Sequence, residues 1–264
     1  MTESIDDLEL ILTTAEIDVE GRLWDSSNAA MRVSCSRGDE AVRAVYKPRR
    51  GERPLWDFPT GTLGRREVAT YLVDRALGWG LVPATVWRDD APLGPGSLQA
   101  WVEVDPERPP VDVVDAGALP EGWHVVAEGE GARGDHVALV HEDSEGLRRL
   151  ALLDALTNNA DRKGGHVLRS ARGTLAGIDH GLTFHVEPKL RTVLWGWAGT
   201  PLDTSTLTQL QALRERWGPV TDSLEPLLSR AEIVATRDRL DELIARAEYP
   251  DADGAWPALP WPAM

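Results

Sequence analysis

Cysteine is nearly absent from this chain of 264 residues. Cys35 is its one cysteine, which excludes an internal disulfide and any metal site built from cysteines. On a strand, its expected role is that of a small buried residue. Long apolar runs and an N-terminal signal pattern are also missing, so we expect a cytoplasmic protein with no stable membrane anchor.

Positive charge is scarce as well. The chain has 28 Lys and Arg against 43 Asp and Glu, for a formal net charge of -15. General nucleic-acid binding and docking to anionic lipid both require a positive surface, so we expect neither. The apolar fraction of 42% is ordinary for globular proteins and predicts a substantial core in one large domain or two lobes.

The richest set of candidate catalytic side chains lies in residues 158–181, NNADRKGGHVLRSARGTLAGIDHG. Asp161 follows an apolar run at helical spacing that ends in two Asn residues, which favour helix ends. Two short apolar segments around a turn at Gly173 then lead to Asp179. Paired as strands, they would bring Asp161, His166 and Asp179 to one mouth. Such a group suits phosphoryl transfer, with one Asp for the acceptor hydroxyl and other ligands for a metal.

Each half of this pattern also has a purely structural interpretation. An Asp after a helix is often a cap, and D-x-G is a common turn. The two halves in this order, with matching partners upstream, favour the catalytic interpretation.

The motifs N-x-D-R and I-D-H-G-L-T-F resemble those of the phosphatidylinositol 3-/4-kinase branch of the protein-kinase-like superfamily. The likeness is closest to type II phosphatidylinositol 4-kinases and more distant to HipA-like kinases. The chain also resembles actinobacterial proteins described as phosphatidylinositol-kinase-like. The resemblance implies that Asp161 is the catalytic Asp, that His166 stands where the family has a metal-binding Asn, and that Asp179 is the metal-binding Asp.

An upstream lysine and glutamate match the same family. Lys47 ends the predicted strand A-V-Y-K-P and resembles the strand lysine of kinases, which meets the α- and β-phosphates. Glu67 lies in GRREVATYLVDRALG, a predicted helix that Gly78 ends, and is the expected partner of Lys47. The alternative is an ordinary solvated lysine at a strand end.

Two further segments, a hairpin tip and a hinge strand, would contact the nucleotide. Small residues at the tip of a predicted hairpin between the first two strands can approach phosphate oxygens, although any surface hairpin has a similar tip. A strand that runs into an interlobe hinge at residues 99–103 would offer its backbone to adenine, and its tryptophan is either a stacking surface or plain core. The candidates are Ser26, Ser27, Asn28, Gln99, Trp101, Val102 and Glu103.

The second half of the chain is less legible. Residues 104–130 have loop composition and are interpreted as an insertion without chemistry, in which the scattered histidines play isolated roles. Helical spacing recurs in residues 207–217, 224–231 and 235–247, with Gly218-Pro219 and Pro226 as breaks, and the Pro- and Trp-rich tail is expected to lie extended on the surface.

A segment after Gly181 takes the place of an activation or substrate-recognition segment. Lys189 and Arg191 are its candidate cations for an anionic acceptor. Trp195 and Trp197 are a candidate apolar platform or part of a packed seam.

Together these patterns predict an α+β, two-lobed protein-kinase-like fold of the PI3/PI4-kinase-like type. Residues 1–103 form the antiparallel-sheet N-lobe and residues 104–264 the mainly helical C-lobe. The expected function is ATP-dependent transfer of the γ-phosphate to a hydroxyl of a small molecule, an inositol-type headgroup or a protein Ser/Thr, with autophosphorylation as one outcome. The alternatives are an adenylate-transferring enzyme of the same fold and a nucleotide-binding pseudokinase.

In this scheme Arg162 and Lys163 would stabilise charge on the γ-phosphate. His166 and Asp179 would hold Mg²⁺ or Mn²⁺. Because imidazole suits softer metals than Mg²⁺, we expect Mn²⁺ to support function better. A ligating imidazole must be neutral, so metal support is expected to weaken below about pH 6.5.

Overall fold

The computed structural model describes residues 5–23, 29–252, 254 and 257–264. Ser26, Ser27 and Asn28, the predicted phosphate-covering residues, lie outside this part of the chain. Among the described residues, every helix is too short or too polar to cross a membrane.

The first lobe is an antiparallel sheet with two helices. Its elements are α1 (Ile5–Thr14), β1 (Glu16–Leu23), β2 (Ala30–Arg37), β3 (Glu40–Pro48), α2 (Leu63–Leu77), β4 (Thr85–Arg88) and β5 (Gly96–Ala100). The strand order is β1-β2-β3-β5-β4. Along β2, Val33 and Cys35 are completely buried while their neighbours face outward, because successive side chains of a strand point to opposite faces.

The helix α2 lies against this sheet and ends where the sequence predicted. Gly78 follows it with a φ of 73°, a left-handed conformation that favours glycine. Asp74, near its end, accepts the backbone N–H groups of Leu81 and Val82 at 2.9 and 3.0 Å through one oxygen, Oδ2. This carboxyl group thereby fixes the path of the chain from α2 into β4.

A second sheet corrects the interpretation of residues 104–130 as an insertion of loops. It contains β6 (Val111–Asp115), β7 (Trp123–Glu130) and β8 (His136–Glu142), all antiparallel, in the order β6-β8-β7. An irregularity between Val125 and Ala127 shifts the register of β7. Because such a shift breaks the alternation of apolar and polar residues, the strand pattern is hidden in the sequence.

The histidines of this region are not all isolated, contrary to expectation. The His124 and His141 rings lie 5.2 Å apart, and the His141 ring lies 4.5 Å from that of Trp197. His136 is exposed and lies 3.1 Å from Glu128. The first two histidines therefore belong to the packing between β7, β8 and the following segment.

The remaining elements form the second lobe. They are α3 (Glu145–Thr157), β9 (Val167–Arg169), β10 (Leu175–Gly177), α4 (Thr204–Glu215), α5 (Trp217–Leu224) and α6 (Arg230–Arg246). The Ser144 side chain caps α3, and Asn158 ends it with a φ of 55°. The hairpin of β9 and β10 is antiparallel and turns through Gly173, whose φ is 84°. The predicted helix, its Asn end and the hairpin are confirmed.

Two helix boundaries differ from expectation. Gly218-Pro219 lies inside α5, since a proline in the first turn removes an N–H that has no partner within the helix. The predicted helix over residues 224–231 is wrong, because α5 ends at Leu224 and α6 begins at Arg230, where Ser229 and Glu232 form a capping box.

The described residues form the predicted α+β arrangement, an antiparallel-sheet lobe followed by a mainly helical one. The first sheet ends at Ala100 and β6 begins at Val111, so the proposed lobe boundary at residue 103 falls in the connection between them. The described tail, residues 257–264, has no helix and returns to the middle of the molecule, where the Ala263 carbonyl accepts the backbone N–H of Gly164 at 2.8 Å.

Candidate active site

Asp161 lies four residues past the end of α3, on a loop that the preceding asparagines shape. Asn159 is completely buried, and its Oδ1 accepts the backbone N–H of Asp161 at 3.0 Å. Burial raises the pKa of the Asp161 carboxyl, and the nearby ammonium of Lys163, 3.4 Å away, partly offsets this effect. A carboxylate with a raised pKa is a stronger base than an ordinary Asp.

Lys47 on β3 joins the two lobes. Its Nζ lies 2.5 Å from Glu67 Oε1 on α2 and 3.0 Å from Asp179 Oδ1, just past β10. Burial disfavours the charge on Lys47, but the two carboxylates more than offset this and raise its pKa above the usual range. Lys47 is therefore a permanently charged ammonium, and the structure places it with Glu67 as the sequence predicted.

Asp179 and His166 face each other at the end of the β9–β10 hairpin. His166 Nε2 lies 3.2 Å from Asp179 Oδ2, and His166 Nδ1 lies 3.1 Å from the Asp161 carbonyl oxygen. The positive charge of Lys47 holds the pKa of Asp179 well below its usual range, and burial lowers the pKa of His166 to about 4. Asp179 is therefore ionised and His166 neutral at pH 7, so the predicted weakening of metal support below pH 6.5 moves to a lower pH.

This pair fits a divalent metal. Two ligands at right angles around an ion, with bonds of about 2.1 Å, stand about 3 Å apart. The 3.2 Å between His166 Nε2 and Asp179 Oδ2 matches that separation. The described residues contain no group of three or more metal-ligating side chains, so phosphate oxygens and water would complete the shell, as is usual for Mg²⁺ at nucleotide sites. Asp179 also has a φ of 58°, a strained conformation for a residue with a side chain.

The position of Arg162 corrects the prediction that its side chain stabilises charge on the γ-phosphate. Its side chain is completely buried and forks onto Asp154 of α3, with Nε 2.9 Å from Asp154 Oδ2 and NH2 2.9 Å from Oδ1. It also donates from NH1 to the carbonyl of Ile178 at 2.7 Å. Arg162 is thus directed away from the interlobe cleft, because Asp154 on α3 and Ile178 just after β10 present acceptors inside the lobe. Of the two neighbouring cations, Lys163 lines the cleft.

A cleft of about 510 Å³ lies between the lobes. The walls of the cleft combine apolar side chains from both lobes with the charged groups described above, namely Leu23, Ala30, Val45, Leu168, Ile178, Lys47, Asp161, Lys163, His166 and Asp179. Its size and its mixture of an apolar wall with a few converging polar groups are typical of small-ligand sites.

The predicted hinge lies at one end of this cleft. Gln99, Trp101 and Val102 line it, although the Gln99 amide already donates to Thr85 Oγ1 at 2.9 Å. Glu103 does not line it: its side chain pairs with Arg43 at 2.5 Å, and its carbonyl accepts the N–H of Ala171 at 2.7 Å. Glu103 therefore fastens the hinge to both lobes.

The predicted acceptor platform is also corrected. Trp197 is buried in the second lobe, and Trp195 donates its indole N–H to the carbonyl of Ala258 at 2.9 Å. Lys189 is buried and lies 2.7 Å from Asp57 Oδ2. Arg191, in contrast, does lie beside the catalytic groups, where its positive charge acts on the Asp161 carboxyl.

Sequence reasoning missed the contribution of the C-terminal tail. Trp261 is 91% exposed and lies near Asp161 and Lys163, at the rim of a second cleft. A conspicuous signal existed in the Pro- and Trp-rich composition, but composition does not show where an extended segment docks.

Comparison with known proteins finds a relative of similar length and structures of similar fold. No protein-family profile matches the chain. Protein Rv2133c of Mycobacterium tuberculosis is 44% identical over 274 residues, covering 98% of this chain and 96% of that protein.

Two solved structures, both of the Golgi casein kinase, share the fold. One has a TM-score of 0.55 with 15% identity, and the second, solved with Mn/ADP bound, has a TM-score of 0.52 with 15% identity. Each alignment covers 94% of this chain and 80% of the other.

Proposed function

This chain belongs to the protein family of Mycobacterium tuberculosis Protein Rv2133c, and we propose that it is an ATP-dependent phosphotransferase that moves the γ-phosphate to a hydroxyl acceptor. The observation that carries the proposal is the convergence of Lys47, Asp161 and Asp179 on one interlobe cleft of a kinase fold, with Glu67 paired to Lys47. These groups come from both lobes, and simple structural roles as caps or surface charges do not require them to meet.

Each residue has a distinct proposed role. Lys47, held by Glu67, orients the α- and β-phosphates. Asp161 orients the acceptor hydroxyl and receives its proton, which its raised pKa favours. Of Arg162 and Lys163, for which a phosphate-stabilising role was predicted, Lys163 alone keeps that role. Trp101, Val102 and the backbone around Gln99 face the adenine end of the cleft.

Asp179 and His166 would hold Mg²⁺ or Mn²⁺. A metal held by these two residues would supply positive charge to offset the negative charge that develops during transfer. A neutral His166 and an ionised Asp179 are the protonation states that metal binding requires. The Golgi casein kinase structure with Mn/ADP supports the same assignment at the level of the fold.

From the motifs alone, we further propose that this chain is related to phosphatidylinositol 3-/4-kinases and, more distantly, to HipA-like kinases. A cytoplasmic location and independence of nucleic acid likewise remain predictions from the net charge and composition.

The test combines intact-protein mass with ATP consumption, in Mn²⁺ and in Mg²⁺. We expect metal-dependent formation of ADP, lost in both Asp161→Ala and Asp179→Asn and kept in Asp238→Asn, which alters an exposed carboxylate on α6. A phosphate-sized mass increase would add autophosphorylation.

Two other results would redirect the assignment. An adenylate-sized increase, with pyrophosphate as the second product, would identify an adenylate-transferring enzyme. Nucleotide binding in a thermal-shift assay without any ATP consumption, with candidate acceptors added, would identify a pseudokinase.

A further inference from the structure

A second cleft, of about 370 Å³, adjoins the nucleotide cleft at the catalytic groups. The two clefts share four lining residues, which are Lys47, Asp161, Lys163 and Asp179. The hinge residues line the first cleft and not the second. A phosphate at the shared groups would therefore have the nucleotide on one side and the second cleft on the other.

One wall of the second cleft is the loop between β3 and α2, which is anchored to both lobes. The Glu52 carboxylate accepts the backbone N–H groups of Leu63 and Gly64 at 3.2 and 3.0 Å, at the start of α2. Asp57 of the same loop pairs with Lys189 of the second lobe at 2.7 Å. Held at both points, the loop places Arg53 at the cleft.

The opposite wall brings further positive charge. Arg191 lines the cleft and donates from Nε to the carbonyl of Ala160 at 2.7 Å. The lining carboxylates face positive groups: Glu52 faces the N-terminus of α2, Glu67 and Asp179 face Lys47, and Asp161 faces Lys163 and the charge of Arg191. Arg53 and Arg191 add cationic character to a chain of net charge -15.

The tail supplies an aromatic surface. Two tail carbonyls accept hydrogen bonds from the second lobe: Ala263 from the N–H of Gly164 at 2.8 Å and Ala258 from the indole of Trp195 at 2.9 Å. Between them Trp261 lines the cleft while 91% of its surface stays exposed. Folding does not bury this ring, so its face is available for stacking against a ligand.

We propose that the second cleft binds the acceptor, and that the acceptor is a small phosphate- or carboxylate-bearing compound whose ring stacks on Trp261 while Arg53 and Arg191 bind its anionic group. This inference rests on the proposed phosphotransferase function. The hydroxyl of such a compound reaches Asp161, which lines the same cleft. Transfer then breaks the bond from the γ-phosphorus to the bridging oxygen, which stays on ADP. A new bond forms from the phosphorus to the acceptor oxygen, and the acceptor proton passes to Asp161.

The chemistry of the walls decides the acceptor class. Guanidinium groups bind phosphate and carboxylate through paired, charge-assisted hydrogen bonds. A volume of about 370 Å³ lies at the lower end of the range for small-molecule sites and suits a compound rather than a folded partner.

The experiment measures calorimetric binding of glucose phosphate and phenyl phosphate, with glucose and phenol as their neutral counterparts. The full chain is first saturated with Mn²⁺ and the nonhydrolysable ATP analogue AMPPNP, so that probes do not occupy the γ-phosphate position. The variants are Arg53→Ala, Arg53→Lys, Arg191→Ala, Arg191→Lys, Trp261→Ala and Trp261→Phe, with Arg246→Ala, an exposed arginine of α6, as the matched control.

We expect both phosphates to bind wild-type protein at least about tenfold more tightly than their neutral counterparts, because charge-assisted hydrogen bonds are lost without the anion. Arg53→Ala and Arg191→Ala should remove most of that difference, while the Lys variants keep part of it. Trp261→Ala should weaken the phosphates and the neutral compounds alike, and Trp261→Phe should restore stacking.

Three results would overturn the inference. The first is probe binding that changes no more in these variants than in Arg246→Ala. The second is AMPPNP binding without saturable binding of either phosphate. A phosphate-sized mass increase in a parallel incubation with ATP would then identify a protein hydroxyl as the acceptor. The third is the absence of AMPPNP binding, which would reject the phosphotransferase function itself and this inference with it.

Discussion

Arg162 and Asp154 form an ion pair in which neither side chain has any exposed surface, with Nε 2.9 Å from Oδ2. The pair lies behind the catalytic loop and connects it to α3. Arg162 also reaches the carbonyl oxygens of His166 and Ile178, so one guanidinium joins the segments that carry Asp161, the metal pair and the helix. The arginine next to the proposed catalytic Asp therefore acts as a brace.

Removing this brace should destabilise the protein. Arg162→Ala leaves a buried carboxylate without its partner, and we expect the free energy of unfolding to fall by about 3–5 kcal/mol in urea titrations. The double variant Asp154→Leu with Arg162→Met should recover part of the loss, because it strands no charge. Arg246→Ala, at an exposed pair, should change stability by less than about 1 kcal/mol. An equally small effect for Arg162→Ala would refute the bracing role.

Replacing Lys47 should separate activity from stability. Lys47→Met removes the ammonium proposed to hold the phosphates, so ATP turnover should fall about a hundredfold or more. It also strands Glu67, which is 2% exposed, and thermal stability should fall with it. Adding Glu67→Gln should restore stability and leave turnover lost. Recovery of turnover in that double variant would show that Lys47 acts only as a structural partner.

The metal preference should depend on His166. We expect Mn²⁺ to support turnover better than Mg²⁺ in wild-type protein, and His166→Asn to shift the ratio toward Mg²⁺ by about tenfold, because the amide offers oxygen in place of imidazole nitrogen. Metal titrations of ATP consumption at fixed pH measure the ratio. His136→Asn, at an exposed histidine, is the control. A ratio that is the same in all three proteins would exclude His166 as a ligand.

Because of the Asp74 carboxyl, the free energy of unfolding should decrease as pH rises. Burial raises its folded pKa from 3.8 to about 6, against an unfolded value near 3.8. A raised pKa means that the protonated form favours folding, so this contribution is complete below about pH 3.8 and is lost as pH rises through about 6. The loss is at most about 3 kcal/mol.

Asp74→Asn tests that sign. The amide oxygen can keep the bonds from Leu81 and Val82, while the group no longer titrates. Urea unfolding from pH 4 to pH 7 should show the wild-type protein losing stability relative to Asp74→Asn across the interval. Parallel profiles for the two proteins would contradict the raised pKa.

Much of the site could be predicted from the sequence because its members lie in short motifs with local geometry. Lys47 ends a strand, Glu67 lies on the next helix, and Asp161 and Asp179 flank a hairpin, so the kinase fold brings them together. The strand β7 escaped prediction because a shift in its register breaks its alternation.

The direction of each side chain was less predictable. Arg162 and Lys163 are adjacent and both cationic, yet Asp154 draws the first into the lobe and the second lines the cleft. Glu103 turns to Arg43 although its neighbour Val102 faces the cleft. Local sequence gives the residue type, but the acceptors that decide each direction come from distant parts of the chain.

The sequence by itself determined the two-lobed kinase fold and the set of groups proposed for phosphoryl transfer, because strand and helix periodicity and motif order are local properties of the chain. Only the tertiary structure decided what surrounds them. The return of the tail brings Trp261 to the cleft that Asp161 lines, and the Asp57–Lys189 pair holds the loop that brings Arg53 to the same cleft as Arg191. These neighbours are remote in sequence, and packing and long-range ion pairs rather than local pattern bring them together.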